Sequence, residues 1–137
     1  MKRMLVLRIA FLSFFLAGLS TADFQGQLMA QSGISDNIYD EPQGNFVSPI
    51  VASERIDNSV TALKIQMEFL NPNSPEFKAA SSKYAYFIFI QDAINNGKTV
   101  PQAIVEGLHK ISAPDAYNVT KNKLVLYKQE AVDLLKA

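Results

Sequence analysis

Residues 74–97 have the sequence SPEFKAASSKYAYFIFIQDAINNG, which carries the strongest structural signal in the chain. Ser74 is a favoured N-cap residue, Pro75 fits the first helical position because no hydrogen-bonded N–H is needed there, and Glu76 complements the positive end of the helix dipole. The Asn-Asn-Gly sequence at 95–97 tolerates the left-handed conformation in which many helices end. We therefore predict a single helix over this stretch.

The centre of this stretch, residues 84–90, also has the aromatic and β-branched composition of a buried strand. We favour a helix because apolar residues keep helical spacing over a longer window. These residues are Phe77, Ala80, Tyr84, Phe87 and Ile88.

Such a helix is apolar on most of its surface. At about 100° per residue, its large side chains divide between two broadly opposite faces: Tyr84, Phe87 and Ile88 on one, and Tyr86, Phe89 and Ile90 on the other. Either the helix is the central one of a bundle, or its second face meets a partner. We favour the central position and retain the second face as the candidate interaction face.

Apolar spacing, N-cap residues and helix-stop residues predict three more helices. The first begins at the N-cap Ser53 and ends at residues 71–73, the third begins around residues 99–101, and the fourth follows residues 114–115 to the C-terminus. Their apolar stripes are Ile56, Val60, Leu63, Met67 and Leu70 in the first, Val100, Ile104, Leu108 and Ile111 in the third, and Tyr117, Leu124, Tyr127, Ala131 and Leu134 in the fourth.

Connections of about 3–6 residues favour antiparallel neighbours. The predicted fold class is therefore all-α, a small four-helix bundle built from two helical hairpins. Side chains in the middle of the apolar stripes should be mostly buried. They are Leu63, Tyr84, Ile88, Leu108, Leu124 and Tyr127.

The N-terminal segment, residues 1–22, has the pattern of a secretory signal peptide. Lys2, Arg3 and Arg8 provide its positive charge, and the apolar stretch at 9–19 is shorter than the roughly 20 residues that a membrane-spanning helix needs. Small residues at 20–22 favour cleavage directly after them. The alternative is a leader that is retained as a membrane anchor.

Residues 23–52 are rich in Gln, Gly, Ser, Asn, Asp and Pro, and their apolar residues show no clear period. This composition predicts a flexible polar arm in front of a helical domain at 53–137. We expect export to the periplasm or the cell exterior, without a stable membrane span after cleavage. The cleaved chain would have ten basic and 13 acidic residues, a net charge of −3.

The whole chain has 13 basic and 13 acidic residues and therefore no excess of positive charge. We accordingly expect no nucleic-acid partner. Cysteine is absent, which excludes disulfides, thiolate nucleophiles and Cys-ligated metal clusters. A single His excludes any site within one chain that needs two imidazoles. From this composition we expect neither a cofactor nor a metal ion.

Glu106 and His109 have the Glu-x-x-His spacing that di-iron helical bundles use. With Ile104 facing the core, helical geometry places these two side chains at about 140–200° from it, toward solvent. A solvated helix face is the favoured interpretation. A site shared across a homo-oligomer is the alternative.

Two short motifs are better explained by structure than by chemistry. The Gly-Lys-Thr sequence at 97–99 resembles the end of a phosphate-binding loop, but Asp92 stands where that pattern requires Gly, so a helix end followed by a helix start is favoured. Asn118-Val119-Thr120 matches the N-glycosylation acceptor pattern but falls inside the predicted fourth helix.

By elimination, the sequence favours an exported, non-enzymatic binding or interaction module whose partner is another protein or a second copy of itself. The alternative is a metal-dependent or hydrolytic enzyme that uses Glu106 and His109 across a homo-oligomer. We assign no catalytic, cofactor-binding or metal-binding residue.

The signal-peptide interpretation predicts that the exported protein begins at Asp23. Intact-mass measurement and N-terminal sequencing of the protein recovered from outside the cytoplasm test this expectation. Recovery of a chain that still begins at Met1 would favour the retained anchor instead.

Overall fold

Four helices make up most of the chain that the computed structural model describes, residues 37–113 and 117–137. They are α1 (Pro49–Glu68), α2 (Pro75–Asn95), α3 (Val100–Ile111) and α4 (Lys121–Leu135), and they belong to a compact unit, Ile38–Ala137. Within these described ranges, β-type pairing is limited to an isolated antiparallel bridge between Phe46 and Lys136. The predicted all-α helical bundle is confirmed. The proposed signal peptide and the arm before residue 37 lie outside the described residues.

Helix α1 begins earlier than expected. Its N-cap is Ser48, whose hydroxyl oxygen accepts a hydrogen bond from the Val51 amide at 3.3 Å, and Pro49 occupies the first turn. The predicted N-cap, Ser53, is a helical residue instead, and its hydroxyl accepts a 2.7 Å hydrogen bond from the Gln91 side chain of α2. Ser48 with Pro49 supplies the same start signal as Ser74 with Pro75, and this signal sets the start of the helix.

The starts of α2 and α3 agree with their predictions. The Ser74 hydroxyl accepts a hydrogen bond from the Phe77 amide at 3.1 Å. Thr99 and Gln102 form a capping box, in which each side chain accepts a hydrogen bond from the other residue's backbone N–H, at 3.2 and 3.0 Å. Gly97 between these helices has φ +90°, so the Gly-Lys-Thr sequence is a helix end followed by a helix start, as predicted.

Helix α4 begins later than predicted, at Lys121, because residues 117–120 are not helical. Asn118 has φ +56°, in the left-handed region, and Thr120 is the N-cap, accepting a hydrogen bond from the Lys123 amide. Tyr117 was therefore wrongly included in the helix. At the other end of α4, Leu135 is fully buried and Leu134 is only half-buried, which shifts the end of the predicted stripe by one residue.

Helix α2 is the central helix of the bundle. It packs against each of the other three helices, most extensively against α3 and next against α1. The largest fully buried side chains come from all four helices: Tyr86, Ile56, Ile90, Ile104, Leu108, Ile111 and Leu135. The predicted burial is confirmed for Leu63, Leu108, Leu124 and Tyr127.

The buried face of α2 differs in part from the predicted one, of which Ala80 and Phe87 are buried. Tyr86 and Ile90 are fully buried, whereas Ile88 is 38% exposed and Tyr84 is half-buried, so the expectation that these last two lie in the core is wrong. The cause is that α3 and α4 both pack on the side of α2 that carries Tyr86. A helix that is apolar on both sides gives no signal that selects one of them.

Tyr86 determines how closely α2 and α3 approach. Its ring lies against Gly107 of α3, where an added Cβ would come within 2.8 Å of a ring carbon and 3.0 Å of an Ile90 side-chain carbon. Its hydroxyl donates a 3.1 Å hydrogen bond to the Ile104 carbonyl oxygen. Burial, with a smaller effect from the Glu130 carboxylate, raises the pKa of Tyr86 well above 10.0, so the phenol stays neutral and remains a donor.

Tyr127 connects α4 to α2 through hydroxyl groups. Its hydroxyl oxygen is 2.6 Å from the Ser82 hydroxyl oxygen and 3.1 Å from the Ala79 carbonyl oxygen. The ring of Tyr127 also stacks on that of Tyr86, with centroids 6.2 Å apart. These contacts satisfy the buried hydroxyls of both Tyr127 and Ser82, which would otherwise be costly to remove from water.

The first and last helices are also joined. The Arg55 guanidinium of α1 donates hydrogen bonds to the carbonyl oxygens of Leu134 and Lys136, at 2.9 and 3.1 Å. Carbonyl groups at a helix C-terminus lack intrahelical partners and carry partial negative charge, so a cation is favourable there. Arg55 thereby caps α4.

Truncation of a core side chain should lower stability measurably. Leu108 lies on α3 and is fully buried. Leu108→Ala should therefore lower the free energy of unfolding by about 2–5 kcal/mol, from a total that is typically about 5–15 kcal/mol. Thermal unfolding followed by circular dichroism measures the loss. Ile50→Ala is the matched control, because Ile50 is 82% exposed and its truncation should leave the melting temperature almost unchanged. Equal melting temperatures for the two variants would contradict the placement of Leu108.

Candidate functional site

The candidate interaction face from the sequence does not form a continuous surface. Tyr86 and Ile90 are fully buried inside the described unit, so these two side chains are not accessible to a partner. Phe89 is half-buried and reaches the surface beside α3. Of the three predicted residues, Phe89 is therefore the one that can contribute to recognition.

Phe89 is the centre of a small surface cluster. The Tyr117 ring meets it edge to face, with centroids 5.9 Å apart and an interplanar angle of 76°. The Lys110 ammonium lies 5.7 Å from the Phe89 ring centroid and forms a 3.8 Å ion pair with Asp92. We call these four residues, Phe89, Asp92, Lys110 and Tyr117, the Phe89 cluster.

Each member of the cluster is positioned by a local feature of the fold. Phe89 and Asp92 are three residues apart on α2 and therefore share one side of that helix. Lys110 lies in the last turn of α3, where a cation is favourable. Tyr117 belongs to the connection before α4 and is 40% exposed. The cluster thus combines an aromatic centre with one charge of each sign.

A second aromatic contact lies at the same end of α3. The rings of Tyr39 and His109 stack with centroids 4.3 Å apart and an interplanar angle of 11°. The Tyr39 hydroxyl donates a 3.0 Å hydrogen bond to the Ser112 hydroxyl oxygen, and the Ser112 hydroxyl donates one of 3.1 Å to the His109 carbonyl oxygen. Tyr39, which is 40% exposed, therefore fixes the orientation of the only imidazole in the sequence.

Tyr39 belongs to a segment that the sequence assigned to the flexible arm. Residues 38–48, here called the strap, lie along the helical domain, and Ile38 is buried. The strap is held by main-chain hydrogen bonds from the Val47 amide to the Leu135 carbonyl and from the Ala137 amide to the Asn45 carbonyl, at 2.9 and 3.0 Å. The packed unit therefore begins before residue 53. The sequence did not predict these contacts, because most of them are made by backbone groups and the side chains of the strap are mainly polar.

The strap also contacts the middle of α4. The Lys128 ammonium donates a 2.9 Å hydrogen bond to the Asp40 carbonyl oxygen. Burial lowers the pKa of Lys128, and the Asp40 carboxylate partly offsets this effect. Lys128 is thus a structural contact of the strap.

Glu106 and His109 do not meet a third ligand. Glu106 is half-buried and His109 is exposed, with its ring against Tyr39. Within residues 37–113 and 117–137, no three His, Asp or Glu side chains come together in a way that could hold a metal ion. In one copy of the described unit, the pair forms part of a helix surface.

Comparison with known proteins adds no assignment, since no family model, no curated protein and no solved structure matches the chain. None of the four described helices combines the length and the apolar character that a membrane crossing requires. The two aromatic contacts at the end of α3 are the features of the described surface that can serve recognition.

The ring contact of Tyr39 should help to hold the strap against the helical domain. Tyr39→Ala removes both the stack on His109 and the hydrogen bond to Ser112, and an aromatic pair of this kind contributes about 0.5–1.5 kcal/mol. We expect faster hydrogen exchange at the Val47 and Ala137 amides, which hold the strap. Tyr39→Phe keeps the ring and should exchange more slowly than Tyr39→Ala. Unchanged exchange in Tyr39→Ala would show that the strap does not depend on this ring.

Proposed function

We propose that the chain is an exported, non-enzymatic interaction module that binds a protein partner, or a second copy of itself, through the surface around Phe89. The positive charge, the apolar stretch and the small residues at 1–22 support export to the periplasm or the cell exterior. The recognition surface follows from the Phe89 cluster and the neighbouring Tyr39–His109 stack.

The observation that carries this proposal is the exposure of aromatic rings next to charged groups at one end of α3. Tyr117 and Tyr39 are each 40% exposed, and Phe89 between the helices is half-buried. Aromatic side chains are enriched in protein interfaces and supply much of their binding energy. The Lys110–Asp92 pair offers polar contacts at the border of such a surface.

A binding role is favoured over the enzymatic alternative by the state of His109. One face of its ring is covered by Tyr39, and its neighbour Ser112 is hydrogen-bonded to both Tyr39 and the His109 carbonyl. A catalytic imidazole shared across a homo-oligomer would have to act from this stacked position. The metal content of the purified protein and the phenotype of His109→Ala test that alternative directly.

Substitutions in the Phe89 cluster should abolish association without unfolding the protein. Tyr117→Ala and Lys110→Glu change two exposed members, and loss of a dominant interface residue costs at least about 2 kcal/mol, or roughly 30-fold in affinity. Pull-down from the native envelope fraction measures partner capture, and size-exclusion chromatography with light scattering measures self-association.

The matched control is Ile50→Ser, which changes an exposed apolar residue in the first turn of α1. Circular dichroism confirms that each variant is folded. The proposal predicts that both cluster variants lose the associated species and that Ile50→Ser keeps it. Association that survives both cluster substitutions, or a monomer that captures nothing, would contradict the proposal.

A further inference from the structure

Asn118-Val119-Thr120 is the one Asn-x-Ser/Thr triplet in the sequence. The expectation that it lies within a helix counted against a role as a glycan acceptor. That expectation is wrong, because α4 begins at Lys121 and all three residues precede it. The triplet therefore lies in a connection at the surface.

The local structure leaves the Asn118 side chain accessible. Asn118 is exposed, and among the described residues no hydrogen bond engages its side-chain amide. Its backbone has φ +56°, a left-handed conformation that Asn adopts more readily than most residues. Thr120 is exposed as well, and its hydroxyl oxygen serves as the N-cap of α4. Neither residue contributes a side chain to the core.

We propose that Asn118 is an acceptor site for an N-linked oligosaccharide when the chain passes through a secretory pathway that contains an oligosaccharyltransferase. The inference rests on the export that we propose above. The donor is a lipid-pyrophosphate-linked oligosaccharide. Asn118 Nδ2 forms a bond to the anomeric carbon, the bond from that carbon to the pyrophosphate oxygen breaks, one amide proton passes to a base of the transferase, and the lipid pyrophosphate leaves.

A glycan on Asn118 is compatible with the fold. It would extend into solvent from the connection before α4, where the backbone is already in its left-handed turn. The adjacent residue is Tyr117, whose ring contacts Phe89. The sugar would therefore stand beside the Phe89 cluster.

Three versions of the chain distinguish the requirement for the acceptor triplet from the requirement for an N-cap residue at position 120. The wild type and Thr120→Ser both keep the acceptor triplet and a hydroxyl N-cap. Thr120→Asp keeps a favoured N-cap residue but destroys the triplet, so it is folded and cannot be glycosylated. Each version is produced in cultured mammalian cells, once with its own residues 1–22 and once with a heterologous cleavable leader ahead of Asp23.

The readout is the mass of the secreted protein before and after treatment with peptide N-glycosidase. We expect the wild type and Thr120→Ser to lose the mass of one glycan and Thr120→Asp to lose none. Secreted wild-type protein without a glycan, from either leader, overturns the inference and leaves the export proposal intact. A chain that is glycosylated with the heterologous leader but not exported with its own supports Asn118 as an acceptor and contradicts the export proposal.

Discussion

The contact between the Tyr86 ring and Gly107 is the constraint on which the rest of the bundle depends. It sets the separation of α2 and α3, the most extensively packed pair, because no side chain at position 107 keeps the two helices apart. The ring then stacks on Tyr127 of α4, and its hydroxyl bonds the Ile104 carbonyl. One aromatic residue thus links three helices, and α1 packs against the same central helix, where Gln91 donates hydrogen bonds to Ser53 and Asp57.

Local signals predicted most of the helices because they act over a few residues. Ser74, Pro75 and Glu76 begin α2 as expected, and the stripe on α3 from Val100 to Ile111 is buried along its length. The face of α2 could not be predicted, since its sequence is apolar on both sides and burial depends on where α3 and α4 pack. The start of α1 was predictable from Ser48 and Pro49, but the polar composition around them obscured the signal.

The candidate site was predicted only in part. Phe89 was identified from its place in an apolar helix, and the helical angle of His109 correctly predicted its exposure. Tyr39 and Tyr117 were not identified, because each lies outside a helix and meets its aromatic partner through the tertiary fold. Their sequence separation from His109 and Phe89 leaves no periodic pattern. Exposed tyrosines in polar segments are the signal that could have suggested them.

The contacts of the strap and α1 with residues 134–137 have a consequence for folding during synthesis. Arg55 and the strap are made early, yet their partners lie at residues 134–137. These contacts cannot form until α4 has left the ribosome. The packing of the strap and of Arg55 is therefore completed only after α4 has been synthesised.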